Sequence, residues 1–354
     1  MLSILLTGIL LFVPSGSPAP GPAVERLNFY VNSDPGVRLF VREVTTTRGN
    51  NGKTGLPILL LHGARVPGLA SFDLPVPGGS LAADLAERGF DVFVMDVRGY
   101  GKSTRPSEID EPPTAHAPLV RSSEAVHDIS AVVDSIRQRG HVSRVVLLGW
   151  ATGGQWAGYY ASLYPERVRA LILLNSLYGG SSKHALMGHG SDMEDPNNPN
   201  HFNQAACGAY RLNDANSLLR PWDHSIPEED KNVWRDRAVA EAYVEAALAS
   251  DPTSRSRTPP SFRSPCGALE DSFYLAIGRR LWDASLITVS TLVLASERDF
   301  WSRPEDHQAL IEDLVHSRKV RAVVIPGATH FVHLDRAERG RSRLLNEIGG
   351  FLTE

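Results

Sequence analysis

The sequence predicts an α/β protein: a doubly wound, mostly parallel sheet with an inserted, mainly helical cap. Short apolar runs, which are typical of strands buried on both faces of a sheet, alternate with segments of helical periodicity through residues 57–174. That alternation stops near residue 177 and resumes after residue 284. Residues 24–176 and 285–354 are therefore predicted to form one core, and residues 177–284 a cap.

Each core element follows from its local pattern. Residues 27–31 and 37–44 alternate apolar with polar side chains around a turn cluster, which predicts an antiparallel hairpin. Apolar runs predict strands over 57–61, 91–96, 145–148, 168–174, 290–295 and 320–325. Amphipathic spacing predicts helices over 80–88, 122–139, 155–164, 305–316 and 338–352.

Two helices are predicted inside the cap. The first begins at Ser225, whose spacing to Glu228 is that of a capping box, and it keeps Tyr243, Ala247 and Leu248 on one face. The second covers residues 268–282.

Composition excludes one function class and suggests a compartment. The formal charge of −4 and the pI near 6.3 provide no basic surface for nucleic acid. Residues 2–13 are almost all apolar and precede a small, proline-rich stretch, so residues 1–23 predict a signal peptide and a secreted or periplasmic protein. The apolar run is too short for stable membrane insertion, and no Lys or Arg precedes it, so the N-terminal segment of a cytosolic protein is the alternative.

The two cysteines, Cys207 and Cys266, both lie in the cap. In an exported protein such a pair predicts a disulfide. No cluster with metal-ligand spacing and no glycine-rich phosphate loop occurs, so no cofactor is expected.

Three positions have the order and spacing of a catalytic triad. Residues 149–153 have the Gly-x-Ser-x-Gly spacing of a nucleophile elbow, but Ala151 occupies the central position. Asp299 and His330 follow two later strands, and in open α/β sheets catalytic groups lie at the carboxyl ends of strands. His330 would act as general base and then general acid, and Asp299 would orient it. The competing candidates are His333, Glu297 and Asp306.

These motifs resemble the cap-bearing, serine esterase-like branch of the α/β-hydrolase superfamily. The resemblance rests on His62-Gly63, residues 96–103, the elbow with Gly154 and residues 327–331, and it leaves the cap unmatched. It implies an oxyanion hole formed by the backbone N–H groups of Ala64 and Thr152.

Ala151 predicts a nearly inert enzyme, because loss of a triad serine costs roughly a million-fold in rate in one well-studied protease. We favour an enzyme whose serine has been replaced to hold intact substrate, since a pure binder needs no acid and histidine there. A natural ligand-binding pseudoenzyme is the alternative. An Asp parent residue would instead indicate an epoxide hydrolase or dehalogenase, which usually carry Trp after the nucleophile, where Thr152 stands here.

The expected ligand is a small-molecule ester with a bulky or aromatic group. Trp150, Trp282, Phe300 and Trp301 flank the catalytic positions and are candidate substrate contacts, although such aromatics are equally common in cores. Arg65, beside the expected oxyanion donor, could pair with a substrate carboxylate, or it could simply be solvated or hold its loop.

Overall fold

The computed structural model describes residues 23–47 and 55–354. The predicted signal peptide, residues 1–23, lies outside these residues except for its last position. Within the described ranges, no helix combines the length and apolar character needed to cross a membrane.

An eight-stranded sheet forms the centre of the molecule. Strands are numbered along the whole chain, and β7 and β8 belong to the cap described below. The strands of the central sheet are β1 (Val24–Asn32), β2 (Arg38–Thr46), β3 (Leu56–Leu61), β4 (Phe90–Met95), β5 (Val145–Trp150), β6 (Val168–Leu174), β9 (Ser290–Arg298) and β10 (Val320–Thr329). They lie side by side in the order β1-β2-β4-β3-β5-β6-β9-β10. Only the β1–β2 and β2–β4 pairs are antiparallel. The predicted mostly parallel sheet is therefore confirmed.

Helices cover both faces of this sheet. The core helices are α1 (Gly68–Phe72), α2 (Leu81–Glu87), α3 (Ser122–Gly140), α4 (Thr152–Leu163), α8 (Pro304–Asp313) and α9 (Arg341–Thr353). Along β3, Ile58 packs into the apolar cluster that contains residues of α1, α2 and α9, whereas Leu59 packs into the cluster with α3, α4 and α8. Burial on both faces explains why this strand is a continuous apolar run.

The last two strands extend beyond their predicted ends. β9 continues to Arg298 and β10 to Thr329, with an irregularity in their pairing between Ile325 and Thr329. Gly327 has a φ of +69°, a conformation that favours glycine, so Pro326 and Gly327 lie in a distortion within β10. Asp299 and His330 consequently follow their strands directly.

The cap lies between β6 and β9. It contains β7 (Tyr210–Asp214), α5 (Ala215–Ser225), α6 (Arg237–Ala249), β8 (Ser261–Pro265) and α7 (Gly267–Ala276). β7 and β8 form a separate antiparallel pair, which sequence patterns did not predict because both strands are short and border turn-rich stretches. Cys207 and Cys266 form the predicted disulfide, with their Cα atoms 6.1 Å apart.

The prediction that a cap helix begins at Ser225 is wrong. Ser225 ends α5, and the next residue, Ile226, is extended (φ −88°, ψ 121°) because a residue before proline avoids the helical region. The amphipathic helix α6 begins only at Arg237, where the Asp236 side chain accepts a hydrogen bond from the N–H of Ala238.

The second predicted cap helix is too long. α7 ends at Ala276, and Gly278 follows with a φ of +86°. A glycine in this conformation shortly after a helix is a common termination signal. Residues 279–282 therefore leave the helix.

Candidate active site

The three triad positions meet at one edge of the sheet. Ala151 follows β5, Asp299 follows β9 and His330 follows β10, and these strands are parallel members of the same half of the sheet. Ala151 and His330 both line a cavity of about 730 Å³ between the sheet edge and the cap. Parallel strands bring their carboxyl ends together, which explains why residues distant in sequence share this cavity.

The elbow keeps a strained backbone at Ala151. Its φ of 53° and ψ of −117° lie where L-residues rarely occur, at a cost of order 1–3 kcal/mol. The N–H of Ala151 donates to the carbonyl of Leu174 (2.8 Å). A Cβ on Gly149 would overlap the backbone of Gly153, and one on Gly153 would overlap the carbonyl oxygen of Leu61. The backbone therefore has the geometry of a nucleophile elbow, although the side chain at its centre is only the methyl group of Ala151.

His330 and Asp299 form an oriented pair. Nδ1 of His330 lies 2.6 Å from Oδ1 of Asp299, whose side chain is only 2% exposed. Asp299 also accepts hydrogen bonds from the N–H of Trp301 (2.9 Å) and from the N–H (3.0 Å) and hydroxyl of Ser302. Burial raises the pKa of Asp299, but His330 and these donors outweigh it and hold the pKa below its ordinary value. An ionised acceptor at Nδ1 leaves Nε2 as the nitrogen available for proton transfer.

The competing candidates serve other contacts. Glu297 accepts a hydrogen bond from the N–H of Gly327 (2.6 Å) and so holds the distorted part of β10. Asp306 accepts the N–H groups of residues 178–180 and pairs with Arg303. His333 is fully buried against the Trp150 ring, and burial holds its pKa well below the ordinary value. None of the three lines the cavity.

Trp150 and Asn175 hold the backbone of His330. Trp150 Nε1 donates to the His330 carbonyl (2.9 Å), and its ring lies 5.0 Å from the imidazole, centroid to centroid. Asn175, fully buried at the end of β6, donates to the same carbonyl (3.1 Å) and bonds Ser296 through both its amide nitrogen and its oxygen. Sequence reasoning missed Asn175; an amide directly after a buried apolar strand was the available signal.

The expected oxyanion donors are the N–H groups of Ala64 and Thr152, and neither has an acceptor among the described residues. His62, two residues before Ala64, is buried and holds the loop that carries Ala64. Its Nδ1 lies 2.8 Å from the Gly63 carbonyl and its Nε2 lies 3.2 Å from the backbone nitrogen of Val97. Nε2 is therefore the acceptor and Nδ1 carries the proton. Burial lowers the pKa of His62 to about 4, so the ring is neutral and fixes this loop at ordinary pH.

Four of the five expected substrate contacts line the cavity: Arg65, Trp150, Phe300 and Trp301. Trp282 does not line the cavity, so its prediction as a substrate contact was wrong. Its ring packs against Tyr178 and over Gly158 of α4, in the apolar cluster on the other face of the sheet, because α7 ends before reaching it. Sequence reasoning missed Arg211, Arg220 and Tyr243, which reach the cavity from the cap.

Comparison with known proteins defines the class. The family described as "alpha/beta hydrolase fold" matches residues 57–337, so this chain belongs to the α/β-hydrolase fold family. Among the curated relatives, bifunctional epoxide hydrolase 2 of Sus scrofa is 31% identical over 172 residues, which are 48% of this chain and 26% of that protein. The poly(3-hydroxyalkanoate) polymerase subunit PhaC of Haloferax mediterranei is 35% identical over 98 residues, 28% of this chain and 18% of that protein. The matches thus span about a quarter or less of these relatives.

Solved structures share the fold at low sequence identity. A thermophilic esterase from Thermogutta terrifontis is 20% identical, with a TM-score of 0.55 over 93% of this chain and 98% of that one. A meta-cleavage product hydrolase from Pseudomonas fluorescens IP01, solved as a serine-to-alanine mutant with acetates, is 16% identical, with a TM-score of 0.57 over 92% and 97%.

The close approach of α4 to β3 predicts opposite effects for two glycine substitutions. Gly153→Ala should lower the free energy of unfolding by about 1–3 kcal/mol, because the new methyl overlaps a backbone oxygen. Gly350→Ala in α9, where a Cβ meets nothing within 4 Å, should raise it by up to about 1 kcal/mol through helix propensity. Urea unfolding of both variants tests this, and equal effects of one sign would contradict a tightly packed elbow.

Neutral His62 predicts acid-sensitive stability. The unfolded chain, with a histidine pKa of about 6.5, binds the proton between pH 6.5 and 4, whereas the folded chain does not, so this contribution to stability falls as the pH falls. Its size is about 2 kcal/mol between about pH 7 and pH 5.

The measurement is a comparison with His62→Gln, which does not titrate. Asp96 and Asp335, whose pKa values burial raises to about 6, act in the opposite direction in both proteins and cancel. His62→Gln should lose about 2 kcal/mol less than the parent chain between these two pH values. Equal losses in urea unfolding would show that His62 is not buried neutral.

Proposed function

We propose that the protein carries the active site of a secreted carboxylic-ester hydrolase in a form that binds esters and scarcely cleaves them. The observation that carries this proposal is the strained elbow at Ala151 beside the oriented His330–Asp299 pair. A strained turn that exposes one side chain and a base held at 2.6 Å by a buried acid serve nucleophilic catalysis, and binding alone needs neither.

The parent chemistry follows from these positions. A serine at position 151 would attack the ester carbonyl while His330 takes its proton, and the N–H groups of Ala64 and Thr152 would stabilise the oxyanion. His330 would then protonate the leaving alcohol, and later activate the water that releases the acid. Asp299 would stabilise the imidazolium in both steps.

The cavity favours a bulky or aromatic ester. Phe300 and Trp301 lie on one side of it, and the Phe300 ring is 4.8 Å from the His330 imidazole, centroid to centroid. Met187 and Leu269 reach it from the cap. Such a wall gains most from apolar area removed from water. The disulfide Cys207–Cys266, of which Cys207 lines the cavity, is consistent with an exported protein.

An epoxide hydrolase is the second candidate. It is favoured by the 31% identity to bifunctional epoxide hydrolase 2 of Sus scrofa, over 172 residues. In that case the parent residue at position 151 would be Asp, and an alkyl-enzyme ester would form in place of an acyl-enzyme.

Restoring the hydroxyl should restore hydrolysis. Ala151→Ser is expected to raise kcat/KM for p-nitrophenyl butyrate by at least about 10⁴-fold, since removal of a triad serine costs roughly 10⁶-fold. Adding His330→Ala should return the rate to that of the parent chain. Ala185→Ser, which adds a hydroxyl to the same cavity outside the elbow, is the matched control and should gain nothing.

The outcomes separate the candidates. Ala151→Asp assayed with trans-stilbene oxide should stay inactive, and turnover there with none in Ala151→Ser would favour the epoxide hydrolase. No gain in either variant, with correctly folded protein by circular dichroism, would favour a ligand-binding protein that has lost catalysis.

A further inference from the structure

Two arginines line the cavity without a carboxylate partner. Arg65 follows the candidate oxyanion donor Ala64, and Arg211 lies on β7 of the cap. Neither forms an ion pair within the described part of the chain, where most other partly buried arginines do. Among the described residues, no Asp or Glu lines the cavity.

Contacts of the cap place the Arg65 loop beside the strand that carries Arg211. Arg211 is directly opposite Ser264 in the β7–β8 pair, so their side chains share one face. The Ser264 hydroxyl donates to the Arg65 carbonyl (2.6 Å), which fixes the Arg65 loop against that face. Arg65 Nη1 donates to the Ser217 carbonyl at the start of α5 (2.7 Å). The arrangement is thus built into contacts between the cap and the loop after β3.

The two charges are poorly compensated. Arg211 donates no side-chain hydrogen bond to the described residues, and its buried Nε has no partner. Burial, with a further contribution from Arg65, lowers the pKa of Arg211 to about 9, so it is still a cation at neutral pH. Cations desolvated in this way are unfavourable unless an anion joins them.

We propose that the ester bound here carries a carboxylate, which is held by Arg65 and Arg211 while the ester carbonyl faces Ala151. This inference rests on the proposed function in taking an ester as ligand. A guanidinium fork matches a planar carboxylate. Arg65 uses Nη1 on the Ser217 carbonyl, so its Nε and Nη2 donors remain for a carboxylate. The exposed Arg220 at the cavity adds to the attraction of anions.

Binding to the unaltered chain tests this without turnover. Monobenzyl succinate, glutarate and adipate, each with its terminal amide as neutral counterpart, are titrated calorimetrically at low salt. We expect the best acid of the series to bind at least tenfold more tightly than its amide, and the difference to shrink as sodium chloride is added.

Variants identify the residue responsible. Arg211→Met, which removes no side-chain hydrogen bond to the described residues, should bring the affinities for acid and amide within about twofold, and Arg211→Lys should keep part of the preference. Arg144→Met, an equal charge change at an exposed position at the amino end of β5, should leave the preference intact. Unchanged melting temperatures verify that each variant is folded.

Two results would overturn the inference: equal affinities for acid and amide, or a preference for the acid that survives in Arg211→Met. A preference for the acid together with no hydrolysis by Ala151→Ser would contradict the proposed function alone. Hydrolysis by Ala151→Ser without any preference for the acid would contradict this inference alone.

Discussion

The structure depends on the close approach of the elbow to the neighbouring strand. Gly153 lies against the carbonyl oxygen of Leu61 and Gly149 against Gly153 itself, so the turn closes only where side chains are absent. This contact sets the position of the first turn of α4 beside the end of β3. The N–H groups of Thr152 and Ala64, which have no acceptor in the described part of the chain, therefore come from two segments in close contact, and the strain at Ala151 accompanies the same contact.

The neighbouring strand ends are tied to this elbow through backbone carbonyls. The carbonyl of His330 accepts from both Trp150 and Asn175, which belong to β5 and the end of β6. Asn175 continues the connection to Ser296 in β9, the strand that leads to Asp299. The imidazole is thus placed by buried hydrogen bonds to rigid strands, and its orientation about χ is set by Asp299. Such support from strands gives more precise geometry than a mobile loop could.

The cap adds charged side chains to a cavity whose lining is mostly apolar. It contributes Met187, Leu269 and Tyr243 to the cavity, but also Arg211, and it binds the Arg65 loop through Ser264 and Ser217. In the proposed function the core would therefore carry the groups for chemistry, and core and cap would both contribute groups that select a ligand. Arg65 links the core with the cap, since it lies in the loop after β3 and forms hydrogen bonds with Ser217 and Ser264 of the cap.

The sequence alone determined the sheet, its helices and the three strand-end positions, because burial on two faces and the steric demands of the elbow leave strong local patterns at Leu59, Gly149 and Gly153. It also determined that position 151 has no nucleophile. Two departures from the predicted helices have local causes. Pro227 ends the helix before it, so the amphipathic helix begins at Arg237 and not at Ser225, and α7 ends before Gly278, which leaves Trp282 outside the helix. The tertiary structure alone decided the pairing of β7 with β8, which places Arg211 opposite Ser264 and so beside the Arg65 loop. That pairing joins segments far apart in the chain, which local periodicity does not encode.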